Sequence, residues 1–185
     1  MGKAGGCARE WNILATAQRR QERYLLWLLK KLGEFRHSGY RDVVLGHVGD
    51  VRGFLDALED MRLKSPGKLR PLGQVVPIEG NFQFDVTDFA EKAEEAVSRY
   101  VDQLADCRFF VRVVRRGHKG EISSQDTEKK LDGFIMESLG KEGEKAVVDI
   151  EGFEKMIVLE TAGNVAGIGL ITRRMKERYP LIKIR

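Results

Sequence analysis

The chain reads as an α+β protein: a β-α-β-β-α-β unit followed by a second α/β unit. Three observations predict it. Apolar stretches of strand period alternate with longer stretches of helical period. Glycine, proline and short polar clusters separate them. Near Val86 the order changes, and from there helices and strands follow a different sequence of elements.

Taken in order, Trp11 to Ala17 is a short apolar strand. Arg19 to Leu32 is a helix, with Tyr24, Leu25, Leu28, Leu29 and Leu32 on its apolar face. Gly33 stands where a helix C-cap glycine belongs. Phe35 to Tyr40 and Asp42 to Val48 are two strands around Gly39. Asp50 is placed to cap a helix whose face carries Phe54, Leu55, Leu58 and Met61. Ser65, Pro66 and Gly67 break the chain. Gln74 to Phe84 is a further strand, interrupted near Pro77. This order is the ferredoxin-like pattern. One sheet face buries both helices, and the other is expected to stay open for contacts.

In the second unit, Asp88 caps a long helix that turns Phe89, Ala93, Ala96, Val97, Tyr100, Val101 and Leu104 inward. Arg108 to Val114 is a strand, and Ser123 or Ser124 caps the next helix, which ends near Gly140. Lys145 to Ile150, Met156 to Thr161 and Ala166 to Thr172 read as strands. Arg173 to Arg178 is a short basic helix or turn stopped by Pro180, and Leu181 to Ile184 a last strand. The expected division is a disordered tail over 1–9, a first domain over 10–85 and a second over 86–185.

Composition narrows the function classes. No apolar run approaches a membrane span, and the N-terminus lacks the apolar core of a secretion signal. Cys7 and Cys107 are far apart and form no disulfide framework, which fits a reducing, cytoplasmic setting. His37, His47 and His118 are scattered, and no Cys/His spacing suits a metal. No nucleotide loop, paired-carboxylate or nucleophile motif appears, so no cofactor is expected. Gly163, Gly167 and Gly169 lie in and before a strand, where turn and bulge roles are expected.

The net charge of +4 is modest, but its distribution is not even. Arg108 to Lys119 holds no acidic residue, and at the C-terminus Arg173, Arg174, Lys176, Arg178, Lys183 and Arg185 face only Glu177. Arg115, Arg116, His118 and Lys119 crowd one strand exit, hinged on Gly117 and Gly120. Such crowding repels itself unless an anion relieves it, which points to a polyanion; the alternative is a solvated turn.

The strand Phe109 to Val113, the turn Arg115 to Gly120, the helix start Ser123 to Gln125 and the run Gly163 to Leu170 together resemble a THUMP domain. The resemblance covers Val86 to Pro180, and the preceding segment resembles the ferredoxin-like domain that accompanies THUMP in RNA-modifying proteins. It implies an N-terminal ferredoxin-like βαββαβ domain followed by a THUMP α/β domain. It further implies binding of tRNA at its acceptor stem and 3′ end. Of the branches of this family, the chain looks most like the adaptors for tRNA cytidine N4-acetylation, which work with a separate acetyltransferase. The protein is therefore expected not to be an enzyme itself. The alternative is a tRNA-binding subunit for a methyltransferase or thiolation catalyst on another chain.

The expected RNA contacts are Arg112, Arg115, Arg116, Gly117, His118, Lys119, Ser124, Lys129, Arg173, Arg174, Lys176 and Arg178. Arginine holds phosphate bidentately, and glycine lets backbone approach closely. For His118 and Ser124 a turn and a cap are the competing roles. For the Arg173 to Arg178 segment it is a solvated helix C-terminus. Charge reversal of Arg115 and Arg116 is expected to leave the fold intact. Trp27, Phe82 and Phe84 are expected in the core, and one of Phe109 and Phe110 on an exposed face.

Overall fold

A computed structural model describes residues 10–184. The expected tail over 1–9 lies outside the described residues. The first six elements are β1 (Ile13–Ala17), α1 (Glu22–Leu29), β2 (Glu34–His37), β3 (Val43–His47), α2 (Val51–Lys64) and β4 (Leu72–Pro77). They form an antiparallel sheet of order β2-β3-β1-β4, in which Ile13 lies between Gly46 and Pro77. This is the ferredoxin-like arrangement that the element order calls for. Leu25, Leu28 and Leu29 of α1 and Phe54, Leu55 and Leu58 of α2 are buried.

The helix α1 stops earlier than its apolar period suggests. Lys30 follows it as the cap, and Gly33 serves packing instead of capping. A Cβ there would lie 2.7 Å from Val48 and 2.8 Å from the His47 carbonyl. Asp50 does occupy the N-cap of α2 but makes no side-chain capping bond.

The segment expected as one strand over 74–84 is two. After β4 the chain leaves the first sheet at Ile78, and β5 (Gly80–Gln83) pairs with residues 165–168 in the second sheet. The Glu79 N–H donates to the Ile168 carbonyl at 2.8 Å, which carries the chain across. The remaining elements are α3 (Phe89–Ser98), β6 (Arg108–Val114), α4 (Ser124–Lys141), β7 (Val147–Val148), β8 (Lys155–Ala162), β9 (Val165–Thr172) and α5 (Arg173–Arg178). The second sheet has the order β5-β9-β8-β6-β7, with β6 parallel to both β7 and β8. Leu181 to Ile184 form no strand; the Leu181 carbonyl accepts from the Val75 N–H at 3.0 Å, and Leu181, Ile182 and Ile184 are buried.

The expected open face of the first sheet is closed. Ile13, Leu14 and Ala15 are consecutive and all fully buried, so β1 is covered on both sides. Trp11, Phe110, Met156, Val158, Ile171, Tyr179 and Ile182 join the strands of the first sheet in one continuous core. Phe109 and Phe110 are therefore both buried, one in each of the two large clusters. Gly167 and Gly169 make this seam possible. A Cβ on Gly167 would lie 2.4 Å from the Trp11 ring, and one on Gly169 would lie 2.6 Å from the Pro77 carbonyl. Close approach, not a turn or bulge, is what these two glycines supply.

Candidate nucleic-acid interface

The strand β6 carries the basic segment. On one side it pairs with β8 along its length; on the other it meets β7 only at Arg108 and Phe109. Beyond that point its backbone donors would face an open edge. Helix α4 closes it with two carboxylates one turn apart. Asp132 Oδ1 accepts from the Val111 N–H at 2.9 Å, and Glu128 Oε1 from the Val113 N–H at 2.8 Å. Glu128 also takes both contacts from Arg112 Nη1, at 3.1 and 3.2 Å. Neither carboxylate was legible as a partner of β6.

Burial pushes the Asp132 carboxyl up to about 6, against the pull of the Val111 N–H. An unfolded aspartate titrates near ~3.9. The native state thus favours the protonated form, and that stability is present below about pH 4 and lost as pH rises through about 6. Asp132→Asn keeps the acceptor and removes the titration. It is expected to gain about 1 kcal/mol over the wild type at pH 7.5, after allowance for partial exposure, and nothing below pH 4. Urea midpoints across that window measure this, and parallel profiles would refute it.

At the strand exit the cations part company. Arg115 Nη1 donates to the Gly117 carbonyl. Arg116 turns inward and pairs with Glu160, which is fully buried. Its N–H donates to Thr161 Oγ1 at 2.8 Å, and the Thr161 hydroxyl donates to its carbonyl at 3.2 Å. Burial raises the Glu160 carboxyl and Arg116 opposes it. Gly117 has φ +94°, and a Cβ there would lie 2.7 Å from Tyr40 Oη. The His118 ring packs on Phe84 with centroids 5.6 Å apart, and its Nδ1 lies 3.3 Å from Glu121. Lys119 and Gly120 are exposed. Ser123 caps α4, accepting from the Asp126 N–H at 3.2 Å; Ser124 is the first helical residue, and Lys129 is exposed further along.

The second basic segment, α5, lies at the opposite end of β6. Because β6 and β8 are parallel, the exit turn sits beside Thr161 while Arg173 sits beside Glu154. The Arg173 guanidinium donates to the carbonyls of Phe153 and Glu151 at 2.8 and 2.7 Å. Lys176 Nζ donates to the Ile184 carbonyl at 2.7 Å. Arg173 and Lys176 both flank the Phe153 ring, which meets Phe110 edge-on, and Arg112 lies over Phe110. Burial, followed by the charges of Arg112 and Arg173, lowers the Lys176 ammonium. Arg178 reaches Asp56 of α2 at 2.9 Å, and Arg174 is exposed.

Fold thus gathers Arg112, Arg173 and Lys176 around one aromatic pair and leaves Lys119, Ser124 and Lys129 apart. Arg112, Arg116 and Arg178 are each engaged by a carboxylate. The expectation that Arg116 tolerates charge reversal does not hold, because a second carboxylate would face the buried Glu160. Trp27 is also not core: it is 63% exposed, and Tyr24 is 70% exposed. The helical spacing of Tyr24, Trp27 and Lys31 was the signal for a second, solvent-facing stripe.

No protein-family model and no curated protein matches the sequence. Among solved structures, TrmN from Thermus thermophilus superimposes with a TM-score of 0.61 at 18% identity, over 92% of this chain and 48% of that one. PH1313 from Pyrococcus horikoshii matches with a TM-score of 0.58 at 13% identity, over 88% and 55%. A 4-thiouridine synthetase solved with RNA and bound ATP matches with a TM-score of 0.54 at 10% identity, over 88% and 41%. The chain therefore spans about half the length of these structures. The expectation of a non-enzyme is overturned here. The neighbours include a synthetase and chains with methyltransferase or methylase names, and nothing observed in this chain shows that it lacks activity. No helix among the described residues is long and apolar enough to cross a membrane. The chain shares its two-sheet α+β fold with TrmN and with the 4-thiouridine synthetase.

Proposed function

We propose that this protein holds tRNA for chemical modification in the cytoplasm. The observation that carries this is a set of exposed cations with no carboxylate partner among the described residues, Lys119, Lys129 and Arg174, on a fold also found in a synthetase solved with RNA. Arg115, Arg173 and Lys176 complete the contacts, their positions fixed by backbone carbonyls. Gly117, His118 and Ser124 shape the turn and helix start between them. Cations spread over two ends of a sheet suit a structured RNA read through its phosphates, since the deep groove of an RNA helix is closed to side chains. The tRNA is engaged at its acceptor stem and 3′ end. In our reading the reaction served is cytidine N4-acetylation by a separate acetyltransferase. A second reading, thiolation or methylation, is favoured by the names of the solved neighbours.

Binding to total tRNA across a salt series, with duplex DNA as competitor, tests the reading. Affinity should fall with salt at a log–log slope of roughly −0.7 to −0.9 for each phosphate contacted. The triple variant Lys119→Glu, Lys129→Glu, Arg174→Glu should flatten that slope by roughly two to three units with its circular dichroism unchanged. An unaltered slope would remove these residues from the interface, and no binding at low salt would remove tRNA.

A further inference from the structure

A second surface, far from the basic strand in sequence, carries its own chemistry. On α1, Tyr24 and Trp27 project into solvent beside a groove of about 780 Å³. Leu28, Met61 and Pro71 line part of it, and Lys31, Lys68 and Arg70 are its charged members. No aspartate or glutamate lines it, and none of the three cations pairs with a carboxylate among the described residues. Lys31 Nζ sits 3.5 Å from the centre of the Trp27 ring, so a cation is already held at the indole. A folded chain gains nothing by exposing an indole and a phenol one helical turn apart, and large exposed aromatics mark places where something docks.

We propose that this groove receives unpaired nucleotides of RNA: Lys31 swings from the indole face to a phosphate, a base takes its place on Trp27 with Tyr24 beside it, and Lys68 and Arg70 hold the adjoining phosphates. The proposal rests on the tRNA reading above and adds to it a contact with single-stranded RNA on the N-terminal unit. The charge decides between occupants. A protein surface that covered Trp27 would leave three unpaired cations to desolvate, whereas a strand of RNA brings one phosphate for each base it stacks. Every base offers a flat π-face, so an indole flanked by cations binds such a strand with little regard to sequence.

The chain has two tryptophans, and their environments differ. Trp11 is buried in the seam between the sheets at 3% exposure, so a change of emission on adding RNA reports Trp27. The full-length protein is titrated with a short single-stranded RNA of mixed sequence and, separately, with total tRNA. Quenching is expected with both. Trp27→Ala should abolish the quenching and weaken single-stranded RNA binding roughly 5- to 100-fold, and Trp27→Phe should restore most of the affinity. Because Trp27 is exposed, neither change should move the unfolding midpoint. If total tRNA binds wild type and Trp27→Ala equally and emission is steady, this proposal fails while the tRNA reading stands. If Trp27→Ala changes sedimentation of the free protein and leaves RNA affinity alone, the surface is a protein interface and the proposal fails. If wild type binds neither RNA, both fail.

Discussion

Arg116→Ala is expected to destabilise the protein by about 3–5 kcal/mol, because it strands the fully buried Glu160 carboxylate. A domain of this size holds a total of only about 5–15 kcal/mol, so the variant should be partly unfolded at physiological temperature. Among the described residues Arg116 is the only side chain hydrogen-bonded to Glu160 Oε2, and Oε1 has no hydrogen-bond partner. Removing the guanidinium takes away the influence that favours the charged carboxylate against burial. The cost should shrink on acidification. Without Arg116 the native carboxyl titrates higher still, so the variant's stability is present when Glu160 is protonated and lost as pH rises through that raised value. Replacing both partners, Arg116→Met with Glu160→Leu, should recover most of the loss, since neither charge is then stranded. Urea denaturation of the two variants at pH 5 and pH 8 measures all three effects. An Arg116→Ala variant as stable as the wild type at pH 8 would show that the ion pair does not hold the exit turn. Lys119→Glu, three residues further on and exposed, should change stability by no more than about 0.5 kcal/mol.

The contrast between Arg116 and Lys119 shows where sequence reading succeeds and where it stops. The bounds of β6 and of α5 were legible because their causes are local: strand alternation in one, a basic run ended by Pro180 in the other. The ferredoxin-like order of the first sheet followed from the alternation of elements. The direction of each cation after Val114 was not legible. A turn has no period, and the partner that draws Arg116 inward lies on a strand far along the chain. The same limit applies to the stretch over 74–84, whose pattern is continuous although Pro77 and Ile78 pass it from one sheet to another. It applies to Gly167 and Gly169 as well, since a glycine needed for close approach looks like one needed for a turn until the neighbour is known. Trp27 is a different failure. Its helix carries two stripes, and the leucines of the buried one mask the second in the sequence.

Trp11→Ala should cost about 3–5 kcal/mol and should weaken both halves of the molecule together. The indole is buried against Gly167 of β9, while its own backbone N–H donates to Asn81 Oδ1 of β5 at 2.9 Å. It therefore stands at the seam, in the chain just ahead of β1, and touches two strands of the second sheet. Deleting it leaves a cavity between surfaces that cannot close, because β9 is held by β8 on one side and β5 on the other. If the sheets fold as one unit, the wild type unfolds in a single transition seen alike by circular dichroism and by tryptophan emission, and Trp11→Ala shifts that transition whole. If the sheets are independent, the variant should show two transitions, only one of them displaced. The outcome bears on function through geometry. The Trp27 groove belongs to one sheet's helices and the basic exit turn to the other sheet, so a rigid seam fixes the distance between them. One RNA can then span both surfaces without the protein losing freedom on binding, and the affinity of the whole exceeds that of either surface alone. A loosened seam in Trp11→Ala should thus lower affinity for total tRNA while leaving affinity for a short single strand almost unchanged.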